Sequence, residues 1–179
     1  MERSISTKGQ VWYLDFIIGG LIFMAALVVF FLEADTLETS DTNGATSLLG
    51  NAVSISSELL TPGTPQNWTA ATVERIGVTN SYRLDLAKLS EFKSVDYQTA
   101  RSLFRTTKEF FMFIERQGCL VDIDGAYGIG HPAVTVPGGG CVTRSAIDLS
   151  DADVENLVVL TRLVIYDGTP ARLNLYVWE

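Results

Sequence analysis

The sequence predicts an α+β protein: a long N-terminal helix, with a transmembrane part and an amphipathic extension, followed by a small helical and antiparallel β-sheet head. Three observations carry this. Residues 11–32 form an apolar run interrupted by a single charge, apolar residues recur at helical spacing from Ala45 to Leu60, and two β-rich runs close the chain around Asp167-Gly168-Thr169-Pro170. At 179 residues and 47% hydrophobic, the chain is long enough for one cored domain in addition to a membrane segment. The expected division is a cytoplasmic leader at 1–9, a transmembrane helix at 10–32, an amphipathic stalk at 33–61 and an extracellular head at 62–179.

The first element, VWYLDFIIGGLIFMAALVVFFL, carries one charge, Asp15. At about 1.5 Å per residue it spans a hydrocarbon core. Arg3 and Lys8 precede it, whereas Glu33, Asp35, Glu38 and Asp41 follow it; the basic flank stays in the cytoplasm, so the remainder faces outward. Trp12 and Tyr13 fall where an interfacial aromatic belt sits, or are simply two aromatics in an apolar run. A cleaved secretory signal fits less well. The run exceeds the roughly 7–15 residues of a signal core, and Leu32, Glu33, Ala34 and Asp35 lack the small-residue pair of a cleavage site. Gly19 and Gly20 permit close helix approach but lack GxxxG spacing, so ordinary tolerance of glycine explains them equally well. Asp15 costs roughly 2.5–3.5 kcal/mol within a bilayer unless it is solvated near the headgroups or finds a cationic partner, and both readings stand.

The second element is read from Ala45, Leu48, Leu49, Ala52, Val53, Leu59 and Leu60, with Ser and Thr opposite them. Its stripe packs on the head, on partner helices, or on both. Thr61-Pro62-Gly63-Thr64-Pro65 ends it. A short strand is expected at 73–78, two helices at 84–92 and 95–104, and a buried strand at 109–115 containing Phe110, Phe111, Met112, Phe113 and Ile114. The two cysteines, Cys119 and Cys141, fit neither a zinc site nor a CxxC motif, and a single disulfide is the economical pairing. It would tie a glycine-rich excursion at its base, contributing on the order of 3 kcal/mol in the chain-entropy model. The terminal hairpin is expected from 157–166 and 171–178, with Val159, Thr161, Leu163 and Ile165 on one face and Leu173, Leu175 and Val177 on the partner face.

Composition narrows function. A net charge of -8 and a pI near 4.6 oppose nucleic-acid binding, and no basic patch offsets them. No catalytic constellation is legible: the single histidine, His131, lies in the glycine-rich loop, and there is no GxSxG elbow. Gly125, Gly128 and Gly130 do not match GxGxxG and read as loop flexibility. Asp122 and Asp124 lack the continuation of a calcium loop, so no metal and no cofactor is expected. Asn67-Trp68-Thr69 is an N-glycosylation sequon in a segment expected outside the cell.

Lys8, Gly9 and Gln10, followed directly by an apolar helix with an acid in its first turns, resemble the class III signal of archaeal type IV pilins. The resemblance extends loosely through Pro62, Gly63, Pro65 and Trp68 to the final strands. It implies that prepilin peptidase cuts after Gly9, leaving Gln10 as the mature N-terminus with the helix retained. Pilins of this kind usually carry glutamate at the fifth mature position; here the acid is Asp15 at the sixth. A new amine at Gln10 lies about 7.5 Å along the helix axis from Asp15, too far for a contact within the chain. The amine of a neighbouring subunit is then the partner of Asp15, which makes Asp15 a subunit contact. The implied protein is a structural, non-enzymatic subunit of a cell-surface filament, whose partners are membrane lipid, the peptidase and other pilin-like subunits. Two alternatives stand beside it: a minor, pseudopilin-like component that primes assembly, and an unprocessed membrane-anchored binding domain that recognises ligand through its glycine-rich loop.

Overall fold

A computed structural model describes residues 15–30 and 42–179. The chain separates into two compact units, Met1–Gly44 and Ala45–Glu179. In the first, residues 15–30 are helical (α1), and their apolar side chains are largely exposed: Phe16, Leu21, Ile22 and Phe23 bury little of their surface. No helix among the described residues is long and apolar enough to cross a membrane. Both ends of the expected span, 11–14 and 31–32, lie outside the described residues.

The second unit is built on α2 (Thr42–Leu59) and a seven-stranded sheet. Leu48, Ala52, Ile55 and Leu59 recur every three or four residues, so one stripe of α2 enters the core. The helix flanks are tied separately. The Thr106 hydroxyl donates to Asn51 Oδ1 at 3.0 Å, and the Arg162 guanidinium donates to Ser56 Oγ at 3.2 Å. Two further helices follow, α3 (Leu86–Ser94) and α4 (Tyr97–Leu103). Each begins on an aspartate: Asp85 accepts from Ala87 N at 3.1 Å, and Asp96 from Thr99 N at 3.1 Å. Leu84, expected in the first of these helices, instead ends a strand, because the Asp85 cap fixes the helix start after it.

The strands are β1 (Thr79–Asn80), β2 (Arg83–Leu84), β3 (Glu109–Arg116), β4 (Cys119–Leu120), β5 (Ile129–Gly130), β6 (Leu157–Tyr166) and β7 (Thr169–Trp178). Their order is β1-β2-β6-β7-β3-β4, with β5 also on β3; only β2 and β6 run parallel. The β6–β7 connection is tighter than expected. Asp167 and Gly168, at φ 46 and 72, form a two-residue turn whose twist suits the strands, so Thr169 and Pro170 join β7. Pro170 tolerates this place because β7 is first paired to β3 at Arg172, and its missing N–H faces no ladder.

Residues 73–78 do not form the expected strand. They run beside the proline turn with a single bridge, Thr64 to Arg75, and with Val78 N donating to Leu59 O at 2.9 Å. A partner containing Pro62 and Pro65 lacks the donors of a continuous ladder.

Both sheet faces are covered, by different means. Phe110, Met112, Ile114, Leu173, Leu175 and Val177 meet α2, α3 and α4 in the larger core. Phe111, Phe113, Tyr176 and Trp178 meet Leu120, Val134, Val142 and Ala152, which belong to the disulfide-tied excursion and to the segment leading from it into β6. This explains why 109–115 reads as an unbroken apolar run rather than an alternation. The second cover stops at β7, leaving the same face of β6 open, with Leu157, Val159 and Leu163 exposed.

Candidate functional site

The residues marked by sequence do not gather into one place. Lys8, Gly9 and Gln10 lie outside the described residues. Asp15 is the first described residue of α1 and is exposed. Asn67 is exposed on the turn after the prolines. Beside it Trp68 is buried, its indole N–H donating to Gly77 O at 3.0 Å, and the Thr69 and Thr72 hydroxyls lie 3.1 Å apart. The sequon asparagine thus points outward from a fixed turn. Cys119 and Cys141 are joined, their Cα atoms 5.1 Å apart, and Leu120 N donates to Val142 O at 2.7 Å beside the bridge.

The densest polar cluster in the head was not legible in the sequence. Tyr97 of α4 donates its phenol to Glu109 Oε2 at 2.5 Å and accepts from Phe110 N at 3.2 Å. Arg101, one turn along α4, meets Glu109 Oε1 at 2.9 Å, and His131 Nε2 lies 3.9 Å from Oε2. The His131 ring stands edge-on to Tyr97 and Trp178, at 5.4 and 5.5 Å between centroids, and its backbone N–H donates to Phe110 O at 2.9 Å. His131 is therefore packed between elements, not a solvated loop residue. Burial first, then the Glu109 carboxylate, pushes the Tyr97 phenol well above its ordinary value. At neutral pH the phenol keeps its proton and donates it in a hydrogen bond to Glu109. Arg101 offsets the Glu109 carboxylate, and these contacts join α4, β3 and the excursion.

Two other sequence candidates acquire structural roles. Asp122 accepts from Gly125 N at 2.6 Å, closing a turn, while Asp124 accepts from the Ser90 hydroxyl and, through its carbonyl, from Lys93. Asp124 ties the excursion to α3, while Asp122 shapes the turn that presents it. No group of three or more His, Cys, Asp or Glu among the described residues is placed to hold a metal ion. Gly128 and Gly130 serve proximity: a Cβ on Gly128 would stand 2.2 Å from Phe111 Cζ, and one on Gly130, at φ +148, 2.4 Å from Phe110 O, whereas Gly125, at φ +84, has open space around it. A cleft of about 590 Å³ between β2, α3 and the hairpin turn is lined by Asn80, Arg83, Asp85 and Asp167. Its carboxylates are engaged, Asp85 in capping α3 and Asp167 with Arg116 at 3.7 Å. No protein-family model matches the chain, and neither a curated protein nor a solved structure matches it.

Proposed function

We propose that the chain is a type IV pilin-like structural subunit of a cell-surface filament, assembled through its apolar N-terminal helix. One observation carries the reading: Lys8-Gly9-Gln10 stands directly before an apolar helical segment whose single charge is Asp15, and a separate compact head, Ala45–Glu179, follows. In this reading prepilin peptidase cuts after Gly9, the helix leaves the lipid for a fibre core, and the heads form the outer surface. The chain is a single-pass membrane protein before assembly, with its N-terminus inside. What supports a structural role in the head is that the side chains of Tyr97, Arg101, Glu109, Ser90 and Asp124 are used in joints between elements.

The experiment is mass spectrometry of the native N-terminus, on protein taken separately from membranes and from sheared surface material. A chain starting at Gln10 in the sheared fraction is the expected result. An intact residue 1–9 leader, with protein in membranes alone, overturns it and leaves a tethered exterior binding domain. The aspartate at the sixth rather than a glutamate at the fifth mature position is the observation that favours this second reading.

A further inference from the structure

The β6 edge is the one long open strand edge among the described residues. β7 pairs with β6 along its whole length on one side, while on the other β2 reaches only Ile165, whose N–H donates to Tyr82 O at 2.8 Å. β3, the other central strand, is closed on its far side by β5, by β4 and by the bonds from Val121 and His131. In a hairpin closed by the two-residue Asp167-Gly168 turn, the even-numbered residues of β6 bond to β7. Leu157, Val159, Thr161 and Leu163 therefore aim their N–H and C=O groups at the open edge, as Ile165 does toward Tyr82. Natural sheets guard such edges with lysine, proline or a bulge. Residues 157–163 contain none of these; their one charge, Arg162, lies on the inner face and is engaged with Ser56.

Apolar surface flanks this edge on both sides. On the outer face Leu163 is 73% exposed, Leu157 41% and Val159 39%. On the inner side Leu49 and Val53 of α2 are also exposed, at 48% and 41%. Leu49, Val53 and Ser56 follow one another at helical spacing, and Ser56 holds Arg162 of β6, so this stripe runs along the β6 flank of α2.

We propose that a second copy of this chain occupies the edge, β6 against β6 in antiparallel register about Leu160. A second copy offers no other long open edge among its described residues, so β6 pairs with itself. Centring on Leu160 sets Leu157 opposite Leu163 and Val159 opposite Thr161 of the other copy, and the outward backbone groups of all four residues are paired. Charge selects the antiparallel sense. Exposed Arg83 lies near the Leu163 end, beside Arg172, which is paired with Glu115 at 3.5 Å, whereas exposed Asp151, Asp153 and Glu155 precede Leu157. Antiparallel pairing sets basic end against acidic end twice, and Asp167, at the turn, already faces Arg116. The two-fold axis also brings the Leu49 and Val53 stripes of the two α2 helices toward each other. Such a pair is a closed, isologous contact between heads, separate from any contact that repeats along a polar filament. It requires neither cleavage after Gly9 nor polymerisation.

The test uses the full-length, unprocessed chain in detergent micelles. Leu157→Cys and Leu163→Cys variants are oxidised mildly, each alone and as an equimolar mixture, and linked peptides are identified by mass. In the proposed register residues 157 and 163 of opposite copies are directly across, whereas two copies of residue 157 are about 20 Å apart. The expected result is a 157–163 link at least ten-fold more abundant in the mixture than any link in either variant alone. Equal linking in all three samples, or none in the mixture, overturns the register and the pairing. Independently, Val159→Lys places two ammonium groups near the two-fold axis and should convert the dimer to monomer by light scattering, with the near-ultraviolet circular dichroism of the head unchanged. A dimer that survives Val159→Lys, or a wild-type chain that is monomeric throughout the accessible concentration range, also overturns the proposal.

Discussion

Tyr97 shows how a single half-buried tyrosine can join three segments of the chain. Its phenol gives a hydrogen to Glu109 and takes one from Phe110 N, while its ring meets His131 and Phe110. Tyr97→Phe keeps the ring and removes both hydrogen bonds, leaving Phe110 N without this acceptor; a loss of about 1–3 kcal/mol is expected in urea unfolding followed by tryptophan fluorescence. The variant also tests an alkaline dependence. Unfolded, the phenol ionises near its ordinary value of 10.0, whereas in the head burial and then the Glu109 carboxylate hold its proton to higher pH. The stability this contributes is fully present below pH 10 and is lost as pH rises beyond it, so the wild-type melting temperature should fall more steeply than that of Tyr97→Phe above about pH 10. Gly130 makes a different demand. A methyl group there meets the Phe110 carbonyl and Phe111 Cα, at 2.4 and 2.7 Å, neither of which is free to rotate away. Gly130→Ala should cost about 3 kcal/mol, combining a positive φ with separation of β3 and β5. Gly139→Ala is the comparison: its φ is +119 but nothing lies within 4 Å, so conformational strain of about 1 kcal/mol is the whole expected effect.

Elements are held here by stripes and staples that differ in how far they can be read from sequence. α2 is legible as a helix because its apolar period is local, although Ala45, Leu49 and Val53 of the expected stripe stand exposed and Ile55 takes a place in the core; Leu48→Ala should cost about 2–5 kcal/mol by opening a cavity under a fully buried side chain. Leu49→Ala, one residue on but half-exposed, should cost under about 1 kcal/mol in the monomer; equal losses in a chemical-denaturation series would show that α2 is misplaced on the sheet. The 109–115 strand was legible as an apolar run and the terminal hairpin as two β-rich runs, but not its faces: Leu173, Leu175 and Val177 stand opposite Arg162, Leu160 and Val158, and Val159, Thr161 and Leu163 turn outward. Asp85 and Asp96 set the helix starts later than the expected 84 and 95. The two-residue strands β4 and β5 were not legible, because their pairing comes from the cover that the excursion forms over Phe111 and Phe113. Nor was the joint of Tyr97, Arg101, Glu109 and His131, whose members belong to three segments and share no local period. The strand expected at 73–78 failed because β-branched residues signal extended backbone without saying whether the neighbour carries donors. The disulfide was legible only as a pairing; its structural use is to close the excursion that forms the second core. Replacing Cys119 and Cys141 by alanine should cost about 3 kcal/mol and raise amide exchange in residues 119–154 well before β3, β6 and β7.

At the scale of the whole molecule, the proposed filament requires something to draw the apolar N-terminal helix out of lipid, since lipid tails satisfy leucine and phenylalanine as well as another helix does. Around α1 the apolar side chains offer no preference of their own, so a polar interaction unavailable in lipid has to supply one. Asp15 is the single charge in the 11–32 run, and a carboxylate drawn into the bilayer without a partner costs up to roughly 2.5–3.5 kcal/mol, the figure for the centre of a span. In the proposed filament a neighbour's N-terminal amine, created at Gln10, removes that cost and gains a charge-assisted hydrogen bond. This single pairing links processing to assembly: before cleavage the amine does not exist, and the helix has no polar reason to leave. Asp15→Ala reverses both terms, making the helix more comfortable in lipid and leaving the neighbour's amine without its partner. The variant should still be cleaved after Gly9, because the cut lies on the other side of Gln10, and its head should melt as the wild type does, because Asp15 belongs to the separate Met1–Gly44 unit. Its share of sheared surface material should fall at least ten-fold, with a matching rise of cleaved chain in the membrane fraction. Asp15→Glu, which keeps the charge one methylene further out, should restore part of that share. If Asp15→Ala is sheared from the surface as abundantly as the wild type, the carboxylate does not set the subunit contact, and the preference for fibre over lipid resides in the heads.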